Sequence, residues 1–367
     1  MKSTYSPLFD QIALRSGLEL KNRIVMAPMT NFSSNDDGTV TQDELAYYAR
    51  RSKGVSAVIT ACTYVTPNGK GFPGEFAGDR DEMIPSLASL AKAIRDEGAK
   101  AILQIFHSGR MVPPNLVNGD VVSASSVPAE AEGSPVPREL SAGEIEEIIA
   151  AFGETTRRAI EAGYDGVEIH GANGYLIQQF FSPHSNRRTD QWGDRLAFPL
   201  AVVDEVKKAA ARAGRPFAVG YRFSPEEPET PGITMADTLD LIDALKEKEL
   251  DYLHVSLNEF WAKPRRGVND LRSRLEIIKE RAGDKVPVIG VGSIYTADDA
   301  MKALGTGVDM VAVGRGLIIE PDWVQKVESG REETIAVKID KEAQEKLVVP
   351  DPLWQAIINT PGWFPGV

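Results

Sequence analysis

Apolar residues recur along this chain in eight short runs, most of them separated by stretches where apolar positions return at helical spacing. The runs are Arg23–Pro28, Ala57–Val65, Ala101–His107, Asp165–Gly171, Pro216–Phe223, Asp251–Leu257, Pro287–Ile294 and Asp309–Gly314. Each is rich in Val, Ile or Ala. Strands covered by helices on both faces read this way, because neither face meets water. Eight of them alternating with helices predict an α/β fold, the (β/α)8 TIM barrel. A doubly wound open sheet is the other arrangement that the alternation permits.

Helical periodicity covers Gln42–Lys53, Ile84–Glu97, Ala142–Ala162, Ala197–Ala213, Met235–Lys248, Leu271–Arg281, Ala297–Leu304 and Trp323–Glu328. Thr41, Ser141, Thr234 and Thr296 stand directly before four of these segments. Thr41 and Ser141 also have Glu three residues on, the pattern of a capping box. Before the first run, Leu8–Glu19 reads as a short hairpin that closes the N-terminal mouth of the barrel. Between the third run and its helix, residues 110–140 hold Pro, Gly, Ser and Val with no helical period. Connections that long in a compact domain are usually functional or mobile. We read this one as a lid over the strand ends, where barrel enzymes place their active sites. The tail, residues 339–367, carries Trp354, Trp363 and Phe364. It is expected to pack on the barrel or on a second copy of the chain, which leaves a homo-oligomer open. No repeat or composition shift divides residues 1–367, so one domain is expected.

Composition narrows the class. Hydrophobic content of 42% and charged content of 26% suit a soluble globular enzyme. A net charge of -12 opposes a nucleic-acid partner, since phosphate backbones are met by clustered Lys and Arg. Cys62 is the single cysteine, which excludes an intrachain disulfide and any cysteine-based zinc or iron–sulfur site. The first residues lack the apolar core and cleavage site of a signal peptide. No apolar run approaches the ~20 residues needed to span a bilayer. A cytoplasmic protein with no membrane association is expected.

The chemistry of a barrel comes from the C-terminal ends of its strands. Those ends hold Pro28, Met29 and Thr30; Ala61, Cys62 and Thr63; Gln104 and His107; His170, Asn173 and Tyr175; and Arg222. The last two strands end in Gly292–Ser293 and Gly314–Arg315–Gly316, which set backbone amides and one cation at the usual phosphate site of such barrels. No strand end presents a lysine for a Schiff base. The four histidines, His107, His170, His184 and His254, are scattered, and no metal site is expected. A cofactor with a phosphate tail would supply the chemistry that the side chains lack. Val167–Ser185 stands out: its apolar strand stops at His170, passes two glycines and resumes as LIQQFF. His170, Asn173 and Tyr175 can hydrogen-bond a carbonyl or move a proton, although turns of this composition also form merely to satisfy their own backbone.

With APMT (Ala27–Thr30), QIFHSGR (Gln104–Arg110), VEIHGANGYLIQQFFSPHSNRRTDQWGD (Val167–Asp194), GYRFSP (Gly220–Pro225), VGSI and VGRG in order, the chain resembles the Old Yellow Enzyme family of FMN-dependent ene-reductases. These proteins are also called NADH:flavin oxidoreductases. The resemblance implies a stand-alone member with tightly bound, non-covalent FMN and NADH or NADPH as reductant. It implies that Pro28, Met29 and Thr30 lie along the flavin and that the backbone at Cys62 touches the ring. Gln104 and Arg222 would meet the pyrimidine edge, and Gly292, Ser293, Gly314 and Arg315 the phosphate. His170 and Asn173 would grip the carbonyl or nitro oxygen of an activated alkene, Tyr175 would protonate it, and the cycle would be ping-pong. His184 stands where many members have an apolar residue and is read as structural.

Two other functions share these features. One is a barrel isomerase or aldolase that holds a phosphorylated substrate on the same glycine turns. The other is a flavin-binding sensor without turnover.

Overall fold

In the computed structural model, which describes residues 2–367, the eight apolar runs become strands. They are β1 (Ile24–Met26), β2 (Ala57–Ile59), β3 (Lys100–Phe106), β4 (Gly166–Gly171), β5 (Ala218–Phe223), β6 (Tyr252–Val255), β7 (Val288–Val291) and β8 (Met310–Val313). Each pairs in parallel with the next. The ring closes because β8 returns to β1, with Val311 opposite Ile24 and Ala312 opposite Val25. That last ladder rules out the open sheet, and the fold is a (β/α)8 TIM barrel.

The barrel helices are α1 (Gln42–Ser52), α2 (Ile84–Asp96), α3 (Ala142–Glu161), α4 (Ala197–Ala210), α5 (Met235–Lys246), α6 (Arg274–Ala282), α7 (Ala297–Leu304) and α8 (Trp323–Glu328). Thr41, Ser141, Thr234 and Thr296 each cap a helix through a complete capping box. Thr234 and Thr296 use Asp in place of Glu at the third position. Ser273 makes a fifth box, so α6 starts later than the apolar pattern suggests and leaves Leu271 82% exposed outside it. A side-chain cap of this kind stabilises a helix by about 1 kcal/mol.

At the N-terminal mouth, Ile12–Ala13 pairs antiparallel with Glu19–Leu20. Leu14, Leu18 and Leu20 then pack against Val25, Ile59, Ile102 and Tyr252, so the hairpin plugs the barrel floor. The second run bends after Ile59: the Ala61 amide donates to Tyr48 Oη at 2.8 Å, and Thr63–Tyr64 leaves to pair with Phe76–Ala77.

Residues 110–140 are folded rather than irregular throughout. They contain a short turn of helix at Pro114–Val117 and a parallel pairing of Val122–Ser123 with Arg138–Glu139. Ser123 Oγ donates to Gln179 Oε1 at 2.8 Å, and Arg188 Nη1 donates to the carbonyls of Ala124 and Leu140 at 2.9 and 2.7 Å. The tail returns to the barrel, where Trp354 and Phe364 are buried. Among the described residues, no helix is long and apolar enough to cross a membrane.

Candidate active site

A cleft of about 440 Å³ opens at the C-terminal ends of the strands. One end is walled by Thr30, Phe32, Phe72, Asn173 and Tyr175, the other by Gly292, Ser293, Gly314, Arg315 and Trp363, with Arg222 between them. Pro28 and Met29 also line it, so ten of the thirteen residues to which the family resemblance gives a role meet in one cleft. Cys62, Gln104 and His170 are buried and do not line it. Neither does any residue of 111–140. A larger hollow of about 600 Å³ beside Trp354 is rimmed by Asp43, Glu342, Glu345 and Asp351. Its charge repels a phosphate, and it lies away from the strand ends.

At the glycine end, Gly292 has φ 141, and a Cβ there would stand 2.4 Å from the Phe260 nitrogen. Only glycine lets the β7 turn pass this close to the chain beyond β6. Ser293 follows in the left-handed region at φ 52. Arg315 bridges this turn to the tail: Nη2 donates to Ser293 Oγ at 3.0 Å and Nη1 to the Trp363 carbonyl at 2.8 Å. The short helix Arg315–Ile319 starts here; the Leu317 and Ile318 amides donate to the Gly314 carbonyl at 3.0 and 3.4 Å, which leaves those of Arg315 and Gly316 at the turn.

At the other end, β4 carries His170 into the turn that holds Asn173 and Tyr175. The Ala172 amide donates to His170 Nδ1 at 3.3 Å. Burial, then the nearby Arg222 and His254, push the imidazole pKa well below its usual value. His170 is therefore neutral, with its proton on Nε2. Its ring meets Tyr175 edge-on at 5.0 Å, and Phe106 and Phe72 enclose the same phenol at 5.0 and 6.2 Å. Burial, then Cys62 and Glu75, raise the Tyr175 pKa above its ordinary value, which keeps the phenol protonated.

Asn173 sits at φ 58, a conformation asparagine tolerates better than most residues. Its amide N–H donates to Ser224 Oγ at 2.9 Å, while Ser256 Oγ donates to Asn173 Oδ1 at 2.8 Å. The side-chain oxygen is thereby satisfied, and the side-chain nitrogen is left for a ligand.

Under the Tyr175 wall, Glu75 Oε2 accepts the amides of Gly71 and Phe72 at 2.7 and 3.2 Å, and the Cys62 thiol lies 3.2 Å from Oε1. These bonds hold the loop that presents Phe72. Burial outweighs them and pushes the Glu75 pKa up to about 8.

The remaining histidines are accounted for. His107 Nδ1 accepts the Gly109 amide at 3.0 Å and Nε2 faces Asn68 Oδ1 at 3.3 Å, so it is a buried structural residue. His184 Nε2 lies 3.4 Å from Glu130, away from the cleft. Among the described residues no cluster of potential metal ligands occurs.

The model of the NADH:flavin oxidoreductase / NADH oxidase family matches residues 7–334. The chain belongs to this family. A probable NADH-dependent flavin oxidoreductase of Bacillus subtilis, YqiG, is 54% identical over 100% of this chain and 99% of its own length. The NADH:acrylate oxidoreductase of Vibrio harveyi is 47% identical over 95% of this chain, which spans only 35% of that protein. The solved structure of an Old Yellow Enzyme homologue from Zymomonas mobilis superposes with a TM-score of 0.76 at 25% identity, covering 88% of this chain and 92% of the other. This member of the family is thus an NAD(P)H-dependent flavin oxidoreductase, and its cofactor is FMN.

The cleft suits that cofactor. Arg222 is 8% exposed, lines the cleft, and its Nε has no partner in the chain. Its carboxylate neighbours in sequence are engaged elsewhere: Glu226 with Arg274 at 2.6 Å, and Glu227 with Gln178 and Ser182 at 2.8 and 2.5 Å. A buried, unsatisfied cation in a cleft with two glycine turns calls for an electron-rich ring with a phosphate tail.

The structure adds residues that motif reading passed over. Ser256, Leu257 and Asn258 bring the end of β6 into the cleft, and Glu168 and His254 lie buried beneath it. Glu168 is spelled out in VEIHG, but an acid within an apolar strand gives no local sign of its partners.

Proposed function

We propose that this protein uses NADH or NADPH to reduce the activated C=C bond of α,β-unsaturated carbonyl or nitro compounds. Bound FMN would supply hydride transfer between the nicotinamide and the alkene, with the two taken in ping-pong order. Pro28, Met29, Thr30 and the Cys62 backbone would hold the ring, and Gln104 and Arg222 its pyrimidine edge. The amides at Gly292–Ser293 and Gly314–Arg315 would hold the phosphate. Because Trp363 of the tail lines the same cleft, residues 1–367 are taken to work as one domain.

The observation that carries the reading is the edge-on contact of His170 with Tyr175 at 5.0 Å, with His170 Nδ1 occupied by the Ala172 backbone amide so that Nε2 is the nitrogen left to donate. His170 Nε2–H and the Asn173 side-chain amide donate to the substrate oxygen and draw electron density from the double bond. Tyr175 Oη–H supplies the proton to the carbon next to the activating group. Phe72 and Phe106 around the phenol keep water from competing for that proton. Acrylate, named in the Vibrio relative, is an α,β-unsaturated acid and falls within the proposed substrate class.

Anaerobic mixing tests this. NADH or NADPH should bleach the yellow FMN-loaded protein, and 2-cyclohexenone or maleimide should restore the colour with stoichiometric formation of the saturated product. Bleaching without recovery by any activated alkene would overturn the substrate class while leaving the dehydrogenase half intact. Full FMN occupancy with no bleaching would favour a sensor.

A further inference from the structure

Beneath the cleft the barrel interior holds a buried acid and histidine, Glu168 and His254, that the proposed reaction does not use. Gln104 on β3 stands opposite Glu168 on β4, and Arg222 on β5 lies between His170 on β4 and His254 on β6. Gln104 Nε2 donates to Glu168 Oε1 at 2.8 Å, and His254 Nδ1 lies 2.9 Å from Glu168 Oε2. Glu168 and His254 are both fully buried. We propose that Glu168 is a positioning residue that sets the redox potential of the bound flavin, by fixing the Gln104 amide and balancing the charge of Arg222.

Three observations carry this. First, the Gln104 NH2 group is committed to Glu168, so its carbonyl oxygen is the end left to accept a ring N–H. An amide oxygen and nitrogen are nearly equal in shape, and only such a partner makes one orientation the stable one. Second, burial opposes the Glu168 carboxylate, but His254, then Arg222 and Gln104, outweigh it and keep the acid ionised. Burial lowers the His254 pKa against the pull of Glu168, and the two form one coupled pair joined at 2.9 Å. Third, Arg222 keeps an unpartnered Nε and stands on β5 two positions beyond Gly220, the residue opposite Glu168, where the carboxylate charge acts on it. In a dry interior, a fixed negative charge so placed raises the cost of putting electrons on a ring held by Arg222.

The inference rests on the placement of the flavin edge over Gln104 and Arg222 proposed above. The test is the midpoint potential and FMN dissociation constant of FMN-loaded wild type, Glu168→Gln, Glu168→Asp and Gln104→Ala. Glu168→Gln should raise the potential by at least tenfold in the reduced-to-oxidised ratio, about 30 mV for a two-electron couple. Glu168→Asp, which keeps the charge, should restore most of the wild-type value. An FMN-loaded Glu168→Gln protein with the wild-type potential, beside a Gln104→Ala protein that differs from wild type, overturns the role of Glu168. Gln104→Ala with unchanged affinity and potential overturns the flavin placement instead. Should Glu168→Gln fail to hold FMN, Glu168→Ala removes the same charge and should show the same positive shift, whereas an unchanged potential refutes the proposal.

Discussion

Ser256 Oγ donates to Asn173 Oδ1 at 2.8 Å, tying the end of β6 to the turn after β4 across the width of β5. Ser224, just past β5, accepts the Asn173 backbone amide at 2.9 Å and donates to the same Oδ1 at 3.4 Å. The two serines set which end of the asparagine side chain faces the cleft. One neutral hydrogen bond contributes about 1 kcal/mol, close to a fivefold effect. Ser256→Ala should weaken binding of a carbonyl substrate by about that factor, with little change in FMN content. A substrate dissociation constant within error of wild type would show that Asn173 does not need this support.

The proton-donor role of Tyr175 predicts a split between half-reactions. Tyr175→Phe keeps the ring that packs on Phe72, Phe106 and His170 and removes only the hydroxyl. Alkene reduction should slow by on the order of 10²- to 10⁴-fold, the usual worth of a positioned acid. Reduction of the enzyme by NADH or NADPH should stay near wild type. Stopped-flow traces of the two halves separate these effects, and equal losses in both would contradict the assignment.

Arg222 lines the cleft with an unpartnered Nε and no competing carboxylate at the rim. Arg222→Met should therefore lower FMN affinity more than it perturbs the barrel. A lost charge-assisted bond is worth about 1.5–3 kcal/mol, roughly 10- to 150-fold in the dissociation constant. Flavin fluorescence on dilution measures this directly, and unchanged retention would move the cofactor away from Arg222.

Glu75 makes stability depend on pH in a defined window. Burial raises its pKa from 4.5 to about 8, so the folded state holds a proton that the unfolded state has released. The associated stability is fully present below pH 4.5 and is lost as pH rises towards and through about 8. Denaturant unfolding at pH 5, 7 and 9 should show wild type losing more stability with rising pH than Glu75→Gln, by on the order of a few kcal/mol. Parallel curves for the two proteins would mean that Glu75 stays ionised in its bonds to Gly71, Phe72 and Cys62.

Much of the fold was legible because its signals are local. Two-sided burial makes a parallel strand apolar throughout, and Thr41, Ser141, Thr234 and Thr296 mark helix starts within three residues of their partners. Motif spacing also brought out the cleft, since the ends of parallel strands must meet at one mouth. Ser273 escaped notice because Leu271 extends the apolar pattern past the true cap, which depends on a bond to Glu276.

The order of elements, the glycine turns, the family motifs and the absence of a cysteine-based site follow from the sequence by itself, because each depends on residue type and short spacing. Closure of β8 on β1 and the buried bonds of His170, Glu75 and Glu168 were decided only by the tertiary structure. Glu168 reaches His254 across 86 positions of sequence and Ser256 reaches Asn173 across 83. Protonation and hydrogen-bond orientation are properties of an environment, and that environment exists only once distant strands have been brought side by side and water has been excluded from between them.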